Sequence, residues 1–465
     1  MPNNKEITNK VITRFPPSPT GLFHIGSART AFFNYLFAKH NNGKMLFRLE
    51  DTDKRRSKKE FEENILESLI WLGLDFDGEI SKQSERTAIY KKYIQKLIDE
   101  NKAFISKEEI DLTSSDTNKS AEKRAKVIRF KNPNIKVVFD DLIRGRVEFD
   151  TTELGDFVIA KSLEEPLYHL AVVVDDFESE ITHIIRGEDG ISNTPRQILI
   201  QEALGVPRPI YAHLPLILAP DKSKMSKRYG AISINEYKKM GYLPEAVLNY
   251  LALLGWNPGT EQEIFSVEEL IKEFDLKKVH KGGAVFNIEK LKWINKEHIK
   301  LMSEKDFKNK VLEFLPNEIK KMTLGDNKMF NKILPLIKER IEKFEDVADL
   351  AKVGDWNYYF VQPEYKTEKI LWKDDNDLNN VKKHLEKIIS LLNEMEIFSA
   401  EKIKEKIWDY ATEQGRGFVL WPMRYALSGK DKSPDPFVLA EVLEKAEVIK
   451  RLKYAIEKIN STKIV

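Results

Sequence analysis

The tetrapeptide His24-Ile25-Gly26-Ser27 combines residue types that can bind a triphosphate. It stands where a helical pattern begins, and the first turn of a helix offers unpaired N–H groups and the positive end of the helix dipole. His24 can donate a hydrogen bond to phosphate oxygens, and Gly26 leaves room for a nucleotide to lie against the backbone. By itself this pattern is weak, because a single histidine near a helix start is more often a cap or a surface residue.

A second group of cations lies in the charged loop Ala219–Gly230, which follows a predicted strand. Its cationic side chains are Lys222, Lys224, Lys227 and Arg228. Such a loop can close over a pyrophosphate and neutralise the charge that grows as an α-phosphate is attacked. The alternative is a solvated basic loop, which is the better interpretation of a lysine-rich pentapeptide alone. The two stretches predict a nucleotide site only in combination.

The residues around the first stretch predict the elements that position it. Two apolar runs, Val11–Phe15 and Met45–Leu49, enclose a proline- and glycine-rich turn and a helical pattern that starts at Ile25. Strand, helix and strand in this order predict a right-handed βαβ unit with parallel strands. Ligands of such sheets bind beyond the carboxyl ends of the strands, which here are Phe15–Gly26 and Glu50–Asp53.

Strand and helix patterns continue along the chain. Strands are predicted at Val127–Phe130, Lys136–Asp140, Arg146–Asp150, Asp156–Lys161, Leu167–Val174, Ile181–Arg186 and Ile210–Leu218. Helices are predicted at Ser57–Leu72, Glu85–Glu100, Asn193–Leu204, Pro244–Leu254, Val267–Phe274, Phe307–Leu315, Asn327–Ala351, Asp377–Met395, Ala400–Gln414 and Pro436–Ile459. The polar segment Asp111–Ser120 and the short strands after it indicate an inserted module. The last third of the chain is predicted to be helical.

Composition limits the class of protein. The chain has 465 residues, enough for about two to four domains. It is 42% hydrophobic and 32% charged, and it has no apolar run long enough to span a bilayer. The segment MPNNKEITNK lacks the apolar core of a signal peptide, and the absence of cysteine excludes disulfides, thiol nucleophiles and thiolate zinc sites. These features predict a cytoplasmic protein, and the net charge of +2 confines any nucleic-acid surface to a local patch.

Longer stretches resemble a known family. His24–Ser27 and Lys224–Arg228 resemble the HIGH and KMSKS motifs of class I aminoacyl-tRNA synthetases. The stretches PPSPTGLFHIGSARTAFFNYLF, FRLEDTD, YHLAVVVDDFESEITHIIRGEDGISNTPRQ, KMSKRYG and GYLPEAVLNYLALLGW resemble the bacterial-type glutamyl-tRNA synthetases almost throughout. The resemblance is dense from about Val11 to Ile299 and returns in Arg416–Ala446.

The resemblance implies a two-step ligation. The α-carboxylate of L-glutamate would attack the α-phosphate of ATP to give glutamyl-adenylate, and the glutamyl group would then pass to the 3′ end of tRNA(Glu). His24, Lys224 and Lys227 are the implied catalytic residues, and Gly26 joins them as an ATP contact. Mg²⁺ is expected as the ATP complex. No structural zinc is expected, because Phe104–Arg124 lacks the cysteines that bind zinc in many bacterial relatives.

The family positions that bind glutamate match Arg14, Ser18, Glu50, Tyr168 and Arg186. A dicarboxylate with one ammonium group needs two cationic partners and one anionic partner. Arg14 and Arg186 can each take a carboxylate in bidentate fashion, and Glu50 can take the ammonium group. Arg186 is expected to bind the side-chain carboxylate, and glutamine would leave it poorly paired. Two departures from the family are Ser27, which makes the motif HIGS, and Val172, where some relatives place an amide near glutamate.

The implied fold class is α/β: a doubly wound, parallel, Rossmann-like catalytic domain split by an α+β insertion and followed by an all-α anticodon-binding part. The predicted domains are 1–93 and 170–220 for the two catalytic halves, 94–169 for the insertion, 221–303 for a stem-contact region with the KMSKR loop, and 304–465 for the helical domain. The insertion would bind the acceptor end, with Arg144 and Arg146 as candidate phosphate contacts. Trp421, Arg424 and Tyr425 offer stacking and base-edge contacts, with helix packing as the alternative for Trp421.

Several alternatives stay open. A catalytically inactive tRNA-binding paralogue would have lost some of the implied site residues. A truncated relative that glutamylates a tRNA base would lack the sequence after Ile299, and a glutaminyl-tRNA synthetase would end in β-barrels instead of helices. A non-discriminating enzyme would also charge tRNA(Gln). A monomer is expected.

Overall fold

A computed structural model describes residues 10–109, 124–223, 225, 232–373 and 377–461. The chain divides into two compact units, Met1–His298 and Ile299–Val465. The helix Ile288–Leu301 begins in the first unit and ends in the second. The five domains predicted above remain a prediction, because this division separates only two units.

The first unit mixes strands with helices. Its elements are β1 (Ile12–Phe15), α1 (Ile25–His40), β2 (Lys44–Leu49), α2 (Lys59–Leu72), β3 (Ser81–Lys82), α3 (Thr87–Asp99), β4 (Ala103–Glu109), β5 (Arg124–Phe130), β6 (Lys136–Asp141), β7 (Gly145–Asp150), β8 (Phe157–Ser162), β9 (Glu165–Pro166), α4 (Tyr168–Glu178), β10 (His183–Gly187), α5 (Thr194–Leu204), β11 (Ile210–Leu214), β12 (Ile217–Leu218), α6 (Ile234–Lys239), α7 (Pro244–Leu253), α8 (Val267–Glu273), β13 (Ala284–Val285) and α9 (Ile288–Leu301).

The predicted βαβ unit is confirmed. β1 and β2 pair in parallel, with Ile12 opposite Lys44, and α1 connects them. β10 and β11 also pair in parallel, with His183 opposite Ile210. The backbone N–H of Thr182 donates to the carbonyl of Ile12, which brings β10 beside β1. The carboxyl ends of β1, β2 and β10 therefore lie at the same edge, as a doubly wound parallel fold requires.

The inserted residues contribute to two sheets. β4, β5, β8 and β9 form an antiparallel sheet of their own. β6 and β7 instead join the sheet of β10 and β11, in the order β10-β11-β6-β7. β7 pairs antiparallel with β6, and β6 pairs in parallel with β11, with Asp141 opposite Tyr211. This pairing joins segments that are distant in sequence, so no local pattern predicts it. It places the end of β6 close to the carboxyl end of β10.

The predicted strand Leu167–Val174 is wrong, because this segment is the start of helix α4. Three consecutive valines favour a strand by their local propensity. In the fold, however, every side chain from Leu170 to Asp176 is buried, so the segment is a helix covered on all sides. The helix places Tyr168 in its first turn and two acids, Asp175 and Asp176, near its end.

The described part of the second unit is helical, as predicted. Its elements are α10 (Glu304–Phe314), α11 (Asn317–Gly325), α12 (Asn327–Arg340), α13 (Glu345–Lys352), α14 (Asn357–Phe360), α15 (Leu378–Asn393), α16 (Ala400–Gln414), α17 (Arg416–Ser428) and α18 (Pro436–Ser461). The predicted helix Asn327–Ala351 is two helices, because the backbone becomes extended at Ile341. Helix α17 was missed, since it contains Pro422 and Gly417. Across the described ranges, no helix is long and apolar enough to cross a membrane.

Candidate active site

A cavity of about 340 Å³ lies beyond the carboxyl ends of β1, β2 and β10. Its lining includes His24 and the five residues predicted to bind glutamate, Arg14, Ser18, Glu50, Tyr168 and Arg186. Gly26 lies beside this site but is not one of the described lining residues. The predicted phosphate contacts Lys224 and Lys227 lie outside the described residues. The fold therefore gathers side chains from four separate segments into one site.

His24 is the N-cap of α1. Its Nδ1 accepts hydrogen bonds from the backbone N–H groups of Gly26, at 3.2 Å, and Ser27, at 3.4 Å. Because Nδ1 is the acceptor, a neutral ring carries its proton on Nε2. Nε2 is then a donor; in this structure it lies 3.4 Å from Oγ of Ser27, which a phosphate oxygen would replace as its partner. The two interpretations of this histidine, cap and phosphate donor, are compatible.

Arg186 is oriented by uncharged groups. Its Nε donates to Nε2 of His213 at 3.1 Å, and its Nη2 donates to Oγ1 of Thr194 at 2.8 Å. Nη1 is buried and has no hydrogen-bond partner in the described structure. Burial lowers the pKa of Arg186. A buried guanidinium without an anionic partner is costly, so this site favours an anionic ligand.

Arg14 is held differently, by a carboxylate. Its Nε and Nη2 donate to the two oxygens of Asp176 at 3.1 and 3.3 Å, and its buried Nη1 lacks a partner among the described residues. In each arginine Nε and Nη2 donate one hydrogen bond each, so the N–H groups of Nη1 and the second N–H of Nη2 remain for the expected bidentate capture of a carboxylate. Because Asp176 compensates the charge of Arg14, Arg186 is the stronger candidate for binding an added anion.

Glu50 is buried beside a network of charges. Its carboxylate accepts from Nη2 of Arg48 at 3.2 Å, and Nη1 of Arg48 lies 2.8 Å from the shared Asp176. Burial outweighs the nearby arginines and raises the pKa of Glu50 to about 7. Without a bound ligand, the carboxyl group of Glu50 therefore takes up a proton near neutral pH. A bound ammonium group would favour the ionised form.

This raised pKa predicts the pH dependence of glutamate use. If Glu50 takes the ammonium group, as the sequence predicts, its protonation below about pH 7 removes this pairing, and kcat/KM for glutamate should fall by about tenfold per pH unit. Burial lowers the pKa of the neighbouring His169 to about 4, which keeps that group outside the window. The measurement is KM and kcat for glutamate between about pH 5.5 and 8. The prediction would be contradicted if kcat/KM of the wild type did not change over this pH range. It would also be contradicted if Glu50→Gln showed the same fall in kcat/KM at low pH as the wild type.

Sequence reasoning missed the residues that orient the two arginines. Asp176 orients one of them, and His213 and Thr194 orient the other. The pair Asp175 and Asp176 directly follows an apolar run, and acids at the end of a buried segment are a signal that could have identified them. His213 and Thr194 carry no such signal. Val172, the noted departure, is buried and is not among the described residues that line the cavity.

Arg144 has partners within the protein. It pairs with Glu188 and donates to the carbonyls of Lys281, at 2.7 Å, and His213, at 3.3 Å. These contacts give it a structural role, and its predicted phosphate contact stays a prediction. Arg146 is 71% exposed and stays a candidate for such a contact.

The three side chains predicted to contact anticodon bases differ in exposure. Tyr425 is buried, which leaves it a packing role. Trp421 is half-buried: it donates to the carbonyl of Lys369 at 3.2 Å and lies 5.2 Å from Trp372 between ring centroids. The guanidinium of Arg424 lies 4.8 Å from the centroid of the Trp421 ring. Contacts within the protein therefore cover much of the Trp421 side chain, in line with helix packing, the alternative stated for this residue.

Comparison with known families assigns the class. Residues 10–113 and 105–293 match the catalytic domain of the class I tRNA synthetases for glutamate and glutamine, and residues 306–456 match an anticodon-binding domain. The chain therefore belongs to the class I tRNA synthetases of the glutamate and glutamine family.

Individual relatives narrow this class further. The glutamate–tRNA ligase of Aquifex aeolicus is 41% identical, over 97% of this chain and 100% of that protein. A glutamate–tRNA ligase of Caldanaerobacter subterraneus is 40% identical, over 97% and 98%. The crystal structure of a glutamate tRNA ligase from Elizabethkingia meningosepticum, in complex with its amino acid, has a TM-score of 0.80 and 34% identity, over 97% and 99%. The activity is that of a glutamate–tRNA ligase, which uses ATP to join glutamate to tRNA.

These matches extend over nearly the whole of each relative. They give no support to the inactive paralogue, the truncated relative or the glutaminyl enzyme considered above. In the residues that the structure describes, no three histidine, aspartate or glutamate side chains group where they could hold a metal ion. Part of Phe104–Arg124, the segment in which zinc was not expected, lies outside the described residues.

Proposed function

We propose that the cavity binds L-glutamate with its side-chain carboxylate on Arg186. The observation that carries this proposal is the guanidinium of Arg186, which has one buried Nη1 without a partner and uncharged groups on its other nitrogens in the described structure. Arg14 offers a second Nη1 to the other carboxylate, and Glu50 takes the ammonium group. Ser18 and Tyr168 border the same volume.

ATP is proposed to bind at the start of α1. The Nε2 of His24 donates to a phosphate oxygen, and Gly26 leaves the nucleotide space against the backbone. Lys224 and Lys227 stabilise the charge that develops as the α-phosphate is attacked. Mg²⁺ enters with ATP and would supply further neutralisation of the phosphates.

In the proposed mechanism the enzyme acts by positioning and electrostatics. The glutamate α-carboxylate oxygen attacks the α-phosphorus, the bond to the bridging oxygen breaks, and pyrophosphate leaves. A hydroxyl of the terminal ribose of tRNA then attacks the activated carbonyl, loses its proton, and AMP leaves. No covalent enzyme intermediate is needed. Glutamine would present a neutral amide to Arg186 and leave its charge unpaired, so the site discriminates without editing.

The proposed tRNA specificity is for tRNA(Glu), with tRNA(Gln) as the second possibility, and the proposed state is a monomer. The test is charging of separately transcribed tRNA(Glu) and tRNA(Gln) with radiolabelled glutamate, with Lys227→Ala as the control. Charging of tRNA(Glu) alone would support a discriminating enzyme. Charging of both would mean a non-discriminating enzyme that requires a partner amidotransferase. If the wild type charged neither tRNA, or Lys227→Ala charged as fast, the proposal would fail.

A further inference from the structure

Arg186 ends a chain of three side chains that crosses the sheet. Its Nε donates to Nε2 of His213, and Nδ1 of His213 lies 2.6 Å from Oδ2 of Asp141. The side chains of His213 and Asp141 are both 0% exposed. Asp141 ends β6, His213 belongs to β11, and Arg186 is in β10 at the cavity. The inserted strand therefore contributes a carboxylate to the back of the proposed glutamate site.

These hydrogen bonds determine the tautomer of His213. An ionised carboxylate only accepts, so Nδ1 donates to Asp141 and Nε2 remains an acceptor for Arg186. Burial lowers the pKa of His213, which keeps the ring neutral. A neutral acceptor orients the guanidinium without pairing with its charge. Arg14, by contrast, is held directly by the carboxylate of Asp176.

The backbone fixes which oxygen of Asp141 faces the histidine. Oδ1 accepts from the N–H groups of Ile143 at 2.9 Å, Arg144 at 2.8 Å and His213 at 3.2 Å. Oδ2 faces the ring of His213. Because N–H groups surround Oδ1, an asparagine at this position would place its oxygen there. Its amide N–H group would then face Nδ1.

We propose that Asp141 and His213 are positioning residues that set the specificity of the glutamate site. They fix the plane of the Arg186 guanidinium and keep its charge available to the substrate carboxylate. Gly190 packs closely against this side chain: a Cβ added to Gly190 would lie only 2.8 Å from Nε of Arg186. A larger residue at position 190 would therefore displace the guanidinium. The proposal rests on the proposed function, in which Arg186 binds the side-chain carboxylate of glutamate.

Asp141→Asn tests the proposal in the full-length enzyme. The amide N–H should force the proton of His213 onto Nε2, where it meets the N–H of Arg186. We expect KM for glutamate to rise on the order of 10- to 100-fold, with kcat changed less and KM for ATP within about twofold of wild type. A folded Asp141→Asn enzyme with the wild-type KM for glutamate would overturn the proposal. An equal rise in KM for ATP would also overturn it, because it would indicate a general structural role.

Two substitutions of His213 separate its two contacts. His213→Gln places an amide oxygen near the position of Nε2, so it can still accept from Arg186. His213→Asn places its amide near Nδ1, so it can still donate to Asp141 but leaves Nε of Arg186 unpaired. We expect His213→Gln to keep KM for glutamate near wild type and His213→Asn to raise it about as much as Asp141→Asn. Equal values for the two variants would overturn the proposal.

The same assays distinguish this proposal from the proposed function. If the wild type is active and Asp141→Asn keeps its KM, the positioning proposal alone fails. If Arg186→Met keeps the wild-type KM for glutamate, the proposed function fails and the positioning proposal fails with it. Circular dichroism shows whether each variant is folded. If Asp141→Asn does not fold, the positioning proposal is tested by comparing KM for glutamate in His213→Gln and His213→Asn.

Discussion

Replacing Arg186 by methionine is expected to lower kcat/KM for glutamate by about a thousand-fold. Methionine fills a similar length but offers no cation, so the substrate carboxylate would enter a buried site unpaired. The loss should lie mainly in KM for glutamate, because the proposed ATP contact at His24, which also lines the cavity, is untouched. The measurement is steady-state aminoacylation with glutamate varied at saturating ATP and tRNA.

The same substitution should not lower the stability of the empty enzyme. Arg186 is a partly buried cation whose described hydrogen-bond partners are uncharged, and removing such a charge is often neutral or stabilising. The Tm of Arg186→Met should therefore equal or exceed that of the wild type, although the variant has lost activity. Arg186→Lys is the matched control: it keeps the charge, but one ammonium group cannot reproduce the fixed fork that spans His213 and Thr194. A variant Arg186→Met with an unchanged KM for glutamate would exclude this residue from substrate binding.

The local sequence predicted the parts of the site that lie in the last residues of strands or directly after them. Arg14, Glu50 and Arg186 lie at strand ends, and a βαβ pattern is enough to bring such ends to one edge. The start of α1 was predictable for the same reason, since helical periodicity begins at Ile25. These inferences need only short-range patterns and one topological rule.

The partners of these residues depend on pairings between distant segments. Asp141 reaches the site because β6 pairs with β11, a contact that no local pattern indicates. Asp176 reaches Arg14 because Leu167–Val174 folds as the first part of a helix, where valine propensity predicts a strand. Burial on all sides determined the structure of that segment. Family resemblance predicted which side chains contact the substrate. The hydrogen bonds that leave one nitrogen of each arginine unpaired in the described structure could be seen only in the fold.

Asp176→Asn is expected to lower the free energy of unfolding by about 3–5 kcal/mol, because one buried carboxylate is shared by two buried guanidinium groups. Nε of Arg14 lies 3.1 Å and Nη1 of Arg48 2.8 Å from its Oδ1. A neutral amide would leave these cations with the carboxylates of Glu50 and Asp175, 3.2 and 3.7 Å from Arg48, as the nearest compensating charges. Glutamate affinity should fall as well, since the amide NH₂ group cannot accept and Arg14 loses one of the two hydrogen bonds that orient it.

The control is Asp77→Asn, which removes a partly exposed carboxylate 3.5 Å from Lys39 and should cost less than about 1 kcal/mol. Urea unfolding of both variants against wild type gives the comparison. Burial by itself would raise the pKa of Asp176, but Arg14 and Arg48 outweigh it and hold the pKa below its ordinary value of 3.8. The stabilisation is therefore present above pH 3.8 and is lost as the pH falls through the folded-state pKa. Wild type and Asp176→Asn should converge in stability in that acidic range, and a difference that persisted there unchanged would show that packing, not charge, accounts for the effect.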